Sequence, residues 1–109
     1  MQTIIHSTDF VLTDALETFI KQQVSQSMNI CSNQVDRLII RLKDINDPQH
    51  DKECSVEVIL AHQAPIIVSK KNSNAYKSIK DALGRASRTV LRRSGKRQSS
   101  KHLPTAINI

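Results

Sequence analysis

Ten side chains between residues 70 and 97 could bind an anion: Lys70, Lys71, Lys77, Lys80, Arg85, Arg88, Arg92, Arg93, Lys96 and Arg97. Their chemistry is charge-assisted hydrogen bonding to phosphate oxygens, for which the guanidinium fork is especially suited. Arg88 and Arg92 stand four residues apart, one above the other on a helix, and are the centre of the group. Lys77, Lys80, Arg85 and Arg93 flank them, while Lys70, Lys71, Lys96 and Arg97 extend the patch at both ends. Such a row covers about 20 Å of helix, commensurate with phosphates on folded RNA. Asp81 falls on the same face, where it is expected to orient a neighbouring arginine. Phe10, Phe19 and Tyr76 are the only aromatics, so recognition should rest on shape and backbone rather than on base stacking.

Other chemistries find less support. His6 and His62 could meet Cys54 across strand ends, but their spacing belongs to no zinc motif. No serine occupies a recognised nucleophile turn, and no carboxylate pair sits in an apolar segment. The two glycines, Gly84 and Gly95, cannot build a Gly-rich phosphate loop. A binding protein is expected, not an enzyme, with no cofactor and no small-molecule substrate. Cys31 and Cys54 lack paired spacing and are expected to remain reduced thiols.

The charge is unevenly divided. Residues 1–61 hold five Lys and Arg against nine Asp and Glu, a net of −4, whereas 62–109 hold eleven against one, a net of +10. A solvated basic surface would serve solubility alone, but an almost acid-free run of this length exceeds what solubility requires. It fits contact with nucleic acid, where neutralised phosphates release their counterions. The start has no basic region followed by an apolar run, and nowhere do about 18 apolar residues follow one another. A soluble, cytoplasmic monomer with no membrane partner is therefore expected.

The elements that must position these cations can be read in order. Met1 to His6 is a short β-branched strand before the turn-prone Ser7-Thr8-Asp9. Thr13 caps a helix over Asp14 to Ser27, with Leu16, Phe19, Ile20, Val24 and Met28 as its apolar stripe. Asn29 to Gln34 is a connection. From Val35 to Lys43 the period changes to two, Leu38, Ile40 and Leu42 alternating with Arg37, Ile39 and Arg41. A polar hairpin loop, Asp44 to Lys52, leads to a second alternating strand with Cys54, Val56, Val58 and Leu60 inward. After a turn at His62 and Gln63, Pro65 to Ser69 forms an edge strand, and Lys70 to Asn74 a basic turn into the last helix. That helix starts at a Ser73 or Asn74 cap and puts Tyr76, Ile79, Leu83, Ala86 and Val90 on its core side, opposite the arginines. Gly84 interrupts it at a cost of about 1 kcal/mol relative to alanine, and Gly95 is its expected stop. Residues 1–97 then make one domain and 98–109 a flexible tail. The expected fold is α+β, in the order β-α-β-β-β-α: a four-stranded mixed sheet with both helices on one face. Arg37, Arg41, Glu53 and Glu57 would face solvent on the other.

With the N-terminal strand, the following TDALETFIKQQV and the segment Asn74-Ala75-Tyr76-Lys77-Ser78-Ile79, the chain resembles the short ribosome hibernation-promoting factors, also called ribosome-associated translation inhibitors. The resemblance covers about residues 1 to 97, its last-helix signature being Tyr-x-x-Ile. It implies a domain that binds the small ribosomal subunit at the decoding region between head and body, excludes messenger and transfer RNA, and stores ribosomes in an inactive form during stress or stationary phase. It also implies that Lys77, Lys80, Arg85, Arg88, Arg92 and Arg93 meet ribosomal RNA. The chain departs from the family in an acidic 44–52 loop, with Asp44, Asp47 and Asp51, and in a tail without an acidic end; the dimerisation domain of the long form is expected to be absent. The rival reading is a general module for double-stranded RNA or DNA, whose order of elements is loosely similar.

Overall fold

A computed structural model describes residues 1–8, 11–45, 48 and 51–102, with the backbone course alone for 94–102. Its elements are β1 (Gln2–Thr8), α1 (Asp14–Met28), a 3-10 helix (Asn29–Gln34), β2 (Val35–Asp44), β3 (Lys52–Leu60), β4 (Ile66–Asn72) and α2 (Ala75–His102). The strands lie in the order β1-β2-β3-β4, with β1 parallel to β2 and the remaining neighbours antiparallel. The expected α+β architecture is present.

Local chemistry sets the helix starts. Thr13 Oγ1 accepts a hydrogen bond from the Leu16 amide at 3.1 Å, and Asp14 and Glu17 add negative charge to the first turn of α1. Of the two candidate caps for α2, Asn74 serves: its Oδ1 accepts from the Tyr76 amide at 2.9 Å. The alternating residues of β2 and β3 point Leu38, Ile40, Leu42, Cys54, Val56 and Val58 into one core. There they meet Ile20, Val24 and Met28 of α1 and Ile79, Leu83 and Val90 of α2. Burying each large aliphatic side chain contributes about 1.5–3 kcal/mol, so these two stripes suffice to hold both helices on the same sheet face. Ala82 and Ala86, both fully buried, let α2 lie close to the sheet.

Three boundaries differ by two residues or more from those read in the sequence. β1 runs on to Thr8, because Ser7 and Thr8 pair with Leu42 and Lys43. β4 runs on to Asn72, which pairs with Lys52, so Lys70 and Lys71 belong to a strand and not to a turn. α2 continues past Gly95 to His102, and no described glycine adopts the positive φ that a glycine stop uses. Residues 103–109 of the expected tail lie outside the described residues.

The sheet face away from the helices carries the expected charged residues, Arg41 pairing with Glu57 at 3.0 Å and Ser69 Oγ donating to Glu53 at 3.1 Å, but it also buries Ile39. Across the β2–β3 hairpin, the Lys52 ammonium holds Asp44 at 2.8 Å and Asp51 at 3.3 Å. Two of the three loop acids are thereby neutralised locally; Asp47 lies outside the described residues.

Candidate nucleic-acid interface

The α2 cations whose side chains are described divide into two groups according to their position around its axis. Lys77, Lys80, Arg85, Arg88 and Arg92 are all exposed on the side away from the sheet, and none forms an ion pair with a described residue. Among the described residues, Arg92 reaches only the Thr89 hydroxyl, at 3.5 Å. Arg93, one residue further and about 100° around the helix, turns back toward the sheet. It is half-buried, and its Nη1 donates to the Ala64 carbonyl at 2.8 Å, tying α2 to the β3–β4 turn. The side chains of Lys96 and Arg97 lie outside the described residues.

The lengthened β4 separates Lys70 from Lys71. Lys70 is half-buried on the helix-bearing side, whereas Lys71 pairs with Glu53 on the opposite sheet face. The structure thus brings Lys70 to the α2 cations and leaves Lys71 elsewhere. Asp81 makes no ion pair with any described residue, so the expected orientation of an arginine by this carboxylate does not occur.

Tyr76 also departs from expectation. It is 42% exposed rather than core, and its ring meets that of Phe19 edge to face, with centroids 4.8 Å apart. The pair closes one end of the seam between α1 and α2, consistent with the preference of aromatic rings for T-shaped contact.

Along that seam runs a groove of about 370 Å³. From α1 it is lined by Gln23, Gln26 and Ser27, and from α2 by Lys80, Asp81, Gly84 and Arg88, with Lys70 of β4 completing it. The glutamines were not singled out by charge or motif. Their only sequence signal is position, three residues apart on the flank of the α1 apolar stripe. A Cβ built at Gly84 would meet Arg88 Nη1 at 3.4 Å, an ordinary contact with the end of a flexible side chain, so packing does not require glycine there.

The metal reading fails on geometry. Cys54 faces the core, fully buried, whereas His6 stands opposite Arg41 on the other sheet face. Both cysteines are unpaired and buried. Burial pushes the Cys54 thiol up to about 12, with the nearby Glu53 charge adding to the effect. Burial also raises Cys31, partly opposed by its hydrogen bond with Ser87.

The family model described as sigma 54 modulation protein / S30EA ribosomal protein matches residues 3–98. The chain belongs to this family. The family-level resemblance seen in the last helix and element order is thereby borne out, and with it a role associated with ribosomes. Two solved structures share the fold at low sequence identity. A ribosomal subunit interface protein from Coxiella burnetii is similar with a TM-score of 0.75 and 12% identity, covering 87% of this chain and 99% of its own. The Protein Y N-terminal domain from Thermus thermophilus gives 0.68 and 15%, with coverage of 84% and 98%. No curated protein matches the chain in sequence. Among the described residues, no helix is long and apolar enough to cross a membrane.

Proposed function

We propose that this protein binds the small ribosomal subunit at the decoding region, excludes messenger and transfer RNA from that channel, and holds ribosomes in an inactive, stored state in the cytoplasm. The observation that carries this reading is the row Lys77, Lys80, Arg85, Arg88 and Arg92: five exposed cations on one rigid helix, none neutralised by a described carboxylate. Family membership supports the ribosome as the partner, and the Coxiella burnetii relative is itself a ribosomal subunit interface protein. Inhibition is by occupancy. A rigid domain presenting phosphate-binding groups needs no reaction to block a channel, and no bond is made or broken.

Cosedimentation with purified small subunits, alongside protein synthesis in vitro, tests the reading. The native chain should sediment with the subunit and reduce synthesis, while the double variant Arg88→Glu/Arg92→Glu should do neither. Binding that survives this charge reversal would sink the assignment of the face. Displacement from subunits by ordinary duplex RNA at comparable concentration would favour a general duplex-binding module instead.

A further inference from the structure

The groove between α1 and α2 has properties that a flat phosphate-binding face does not require. Its cations, Lys70, Lys80 and Arg88, surround a concavity of about 370 Å³, and none makes an ion pair with a described residue. The opposite wall is neutral: Gln23, Gln26 and Ser27. The one cation of α1, Lys21, is exposed and held by Glu17 at 3.1 Å. Neutral amides add nothing to the charge that holds a phosphate backbone, although their N–H groups can donate to phosphate oxygens. A glutamine amide carries two donors and an acceptor, a pattern that matches the hydrogen-bonding edge of a base. Asp81 on the other wall adds an unpaired acceptor, suited to an exocyclic amino group. The volume stands at the small end of ligand pockets, which run from about 300 to 1,000 Å³. That volume is of a size to take a single nucleotide.

Gly84 stands on the α2 wall of the groove. Glycine in a helix interior costs about 1 kcal/mol relative to alanine, and the missing side chain leaves this part of the groove open.

We infer that this groove seats one nucleotide extruded from RNA, its phosphate held by Lys80 and Arg88 with Lys70 nearby, and its base edge read by Gln23, Gln26 and Asp81. The inference rests on the proposed ribosomal role and deepens it: the α2 cations supply affinity for any phosphate backbone, and the groove adds preference for a site with an unstacked base. Single-stranded loops and bulges of RNA offer such bases, whereas the interior of a helix does not. A hydrogen-bonded seat compensates for the scarcity of aromatic platforms in this chain.

The test compares the full-length native protein with Gln23→Ala/Gln26→Ala and with Gly84→Leu, measuring affinity for purified small subunits over a salt series. The glutamine pair carries no charge and alanine favours the helix, so thermal stability should hold. Its affinity should fall about tenfold while the slope of log affinity against log salt stays unchanged, since no phosphate contact is lost. Gly84→Leu should fill the groove, with a melting temperature equal to or above native and a similar loss of affinity. Lys80→Ala, by contrast, should reduce the slope by about 1. Affinities within twofold of native for both neutral variants would overturn the seat while leaving the ribosomal role intact; a native chain that fails to sediment with subunits would overturn that role first. Competition by a free mononucleotide at submillimolar concentration would assign the groove to a soluble nucleotide and overturn its assignment to RNA.

Discussion

Arg92 and Arg93 are adjacent and chemically identical, yet one faces solvent and the other donates a 2.8 Å hydrogen bond to the Ala64 carbonyl. Their alanine variants should therefore separate. Arg92→Ala should weaken RNA binding with little change in melting temperature, whereas Arg93→Ala should cost about 1 kcal/mol of stability, because a charged donor to a carbonyl is removed. Denaturant unfolding and subunit binding, measured on both variants, check this. The sequence placed both arginines in the patch, since helical spacing alone does not show that a turn carbonyl waits at Ala64. Cys54 carries a second prediction at this scale. In the native state its thiol keeps its proton up to about 12, while in the unfolded chain it titrates near the ordinary 9.0. The native state thus binds more protons above pH 9, so stability is fully present below that pH and falls as pH rises toward 12, by about 1.4 kcal/mol per pH unit. Cys54→Ala should be less stable at neutral pH, from the cavity it leaves, but should show a shallower alkaline decline in melts between pH 8 and 11. Neither native cysteine should react quickly with a thiol reagent, because each is buried and its thiolate is disfavoured.

The strands with strict alternation, β2 and β3, were legible in the sequence because they are central and packed on one face. The edge strand β4 extends beyond its apolar pattern for a physical reason. An edge strand needs backbone partners rather than an apolar pattern, and Lys70, Lys71 and Asn72 are held by pairing with Cys54, Glu53 and Lys52. That extension parts the two lysines, since successive strand residues point to opposite faces. Tyr76 departs from its pattern similarly. Its angular position on the helix is apolar, but at this end of α2 its ring meets Phe19 edge to face and stays 42% exposed. The groove was not legible, because it depends on the distance between two helices and on the absence of a side chain at Gly84. The same closeness can be tested on the buried side. Ala82 and Ala86 have no exposed surface, and overpacking such a site costs about 1–3 kcal/mol. Ala86→Leu should lower stability by that amount and lift α2 from the sheet. Ala15→Leu, at an exposed position of α1, should change stability by less than about 0.5 kcal/mol.

At the scale of the whole molecule, the division of charge becomes a division of labour. The N-terminal part, with its net −4, supplies β1, α1, β2 and most of the sheet; the C-terminal part, with its net +10, supplies the exposed face of α2. Much of the acid is spent internally: Asp44 and Asp51 on Lys52, Glu57 on Arg41, and Glu17 on Lys21. Lys77, Lys80, Arg85, Arg88 and Arg92 have no such partners among the described residues, so the field of the folded chain is strongly positive on one side, and association with a polyanion should be salt-dependent. If Lys77, Lys80, Arg85, Arg88 and Arg92 each neutralise one phosphate, log affinity should fall against log salt with a slope between about −3.5 and −4.5, taking 0.7 to 0.9 per contact. Raising monovalent salt from about 50 to 200 mM should then weaken subunit binding roughly a hundredfold or more. The identity of the contacts can be tested by subtraction. Arg92→Ala should lower the magnitude of the slope by a little under one unit, and Arg88→Ala/Arg92→Ala by about twice as much. Lys71→Ala should leave the slope unchanged, because that side chain stands opposite Glu53 on the far face of the sheet. A slope near zero, or one that Lys71→Ala reduces as much as Arg92→Ala, would mean that the polyanion meets the sheet face and that the helix face is only solvated charge.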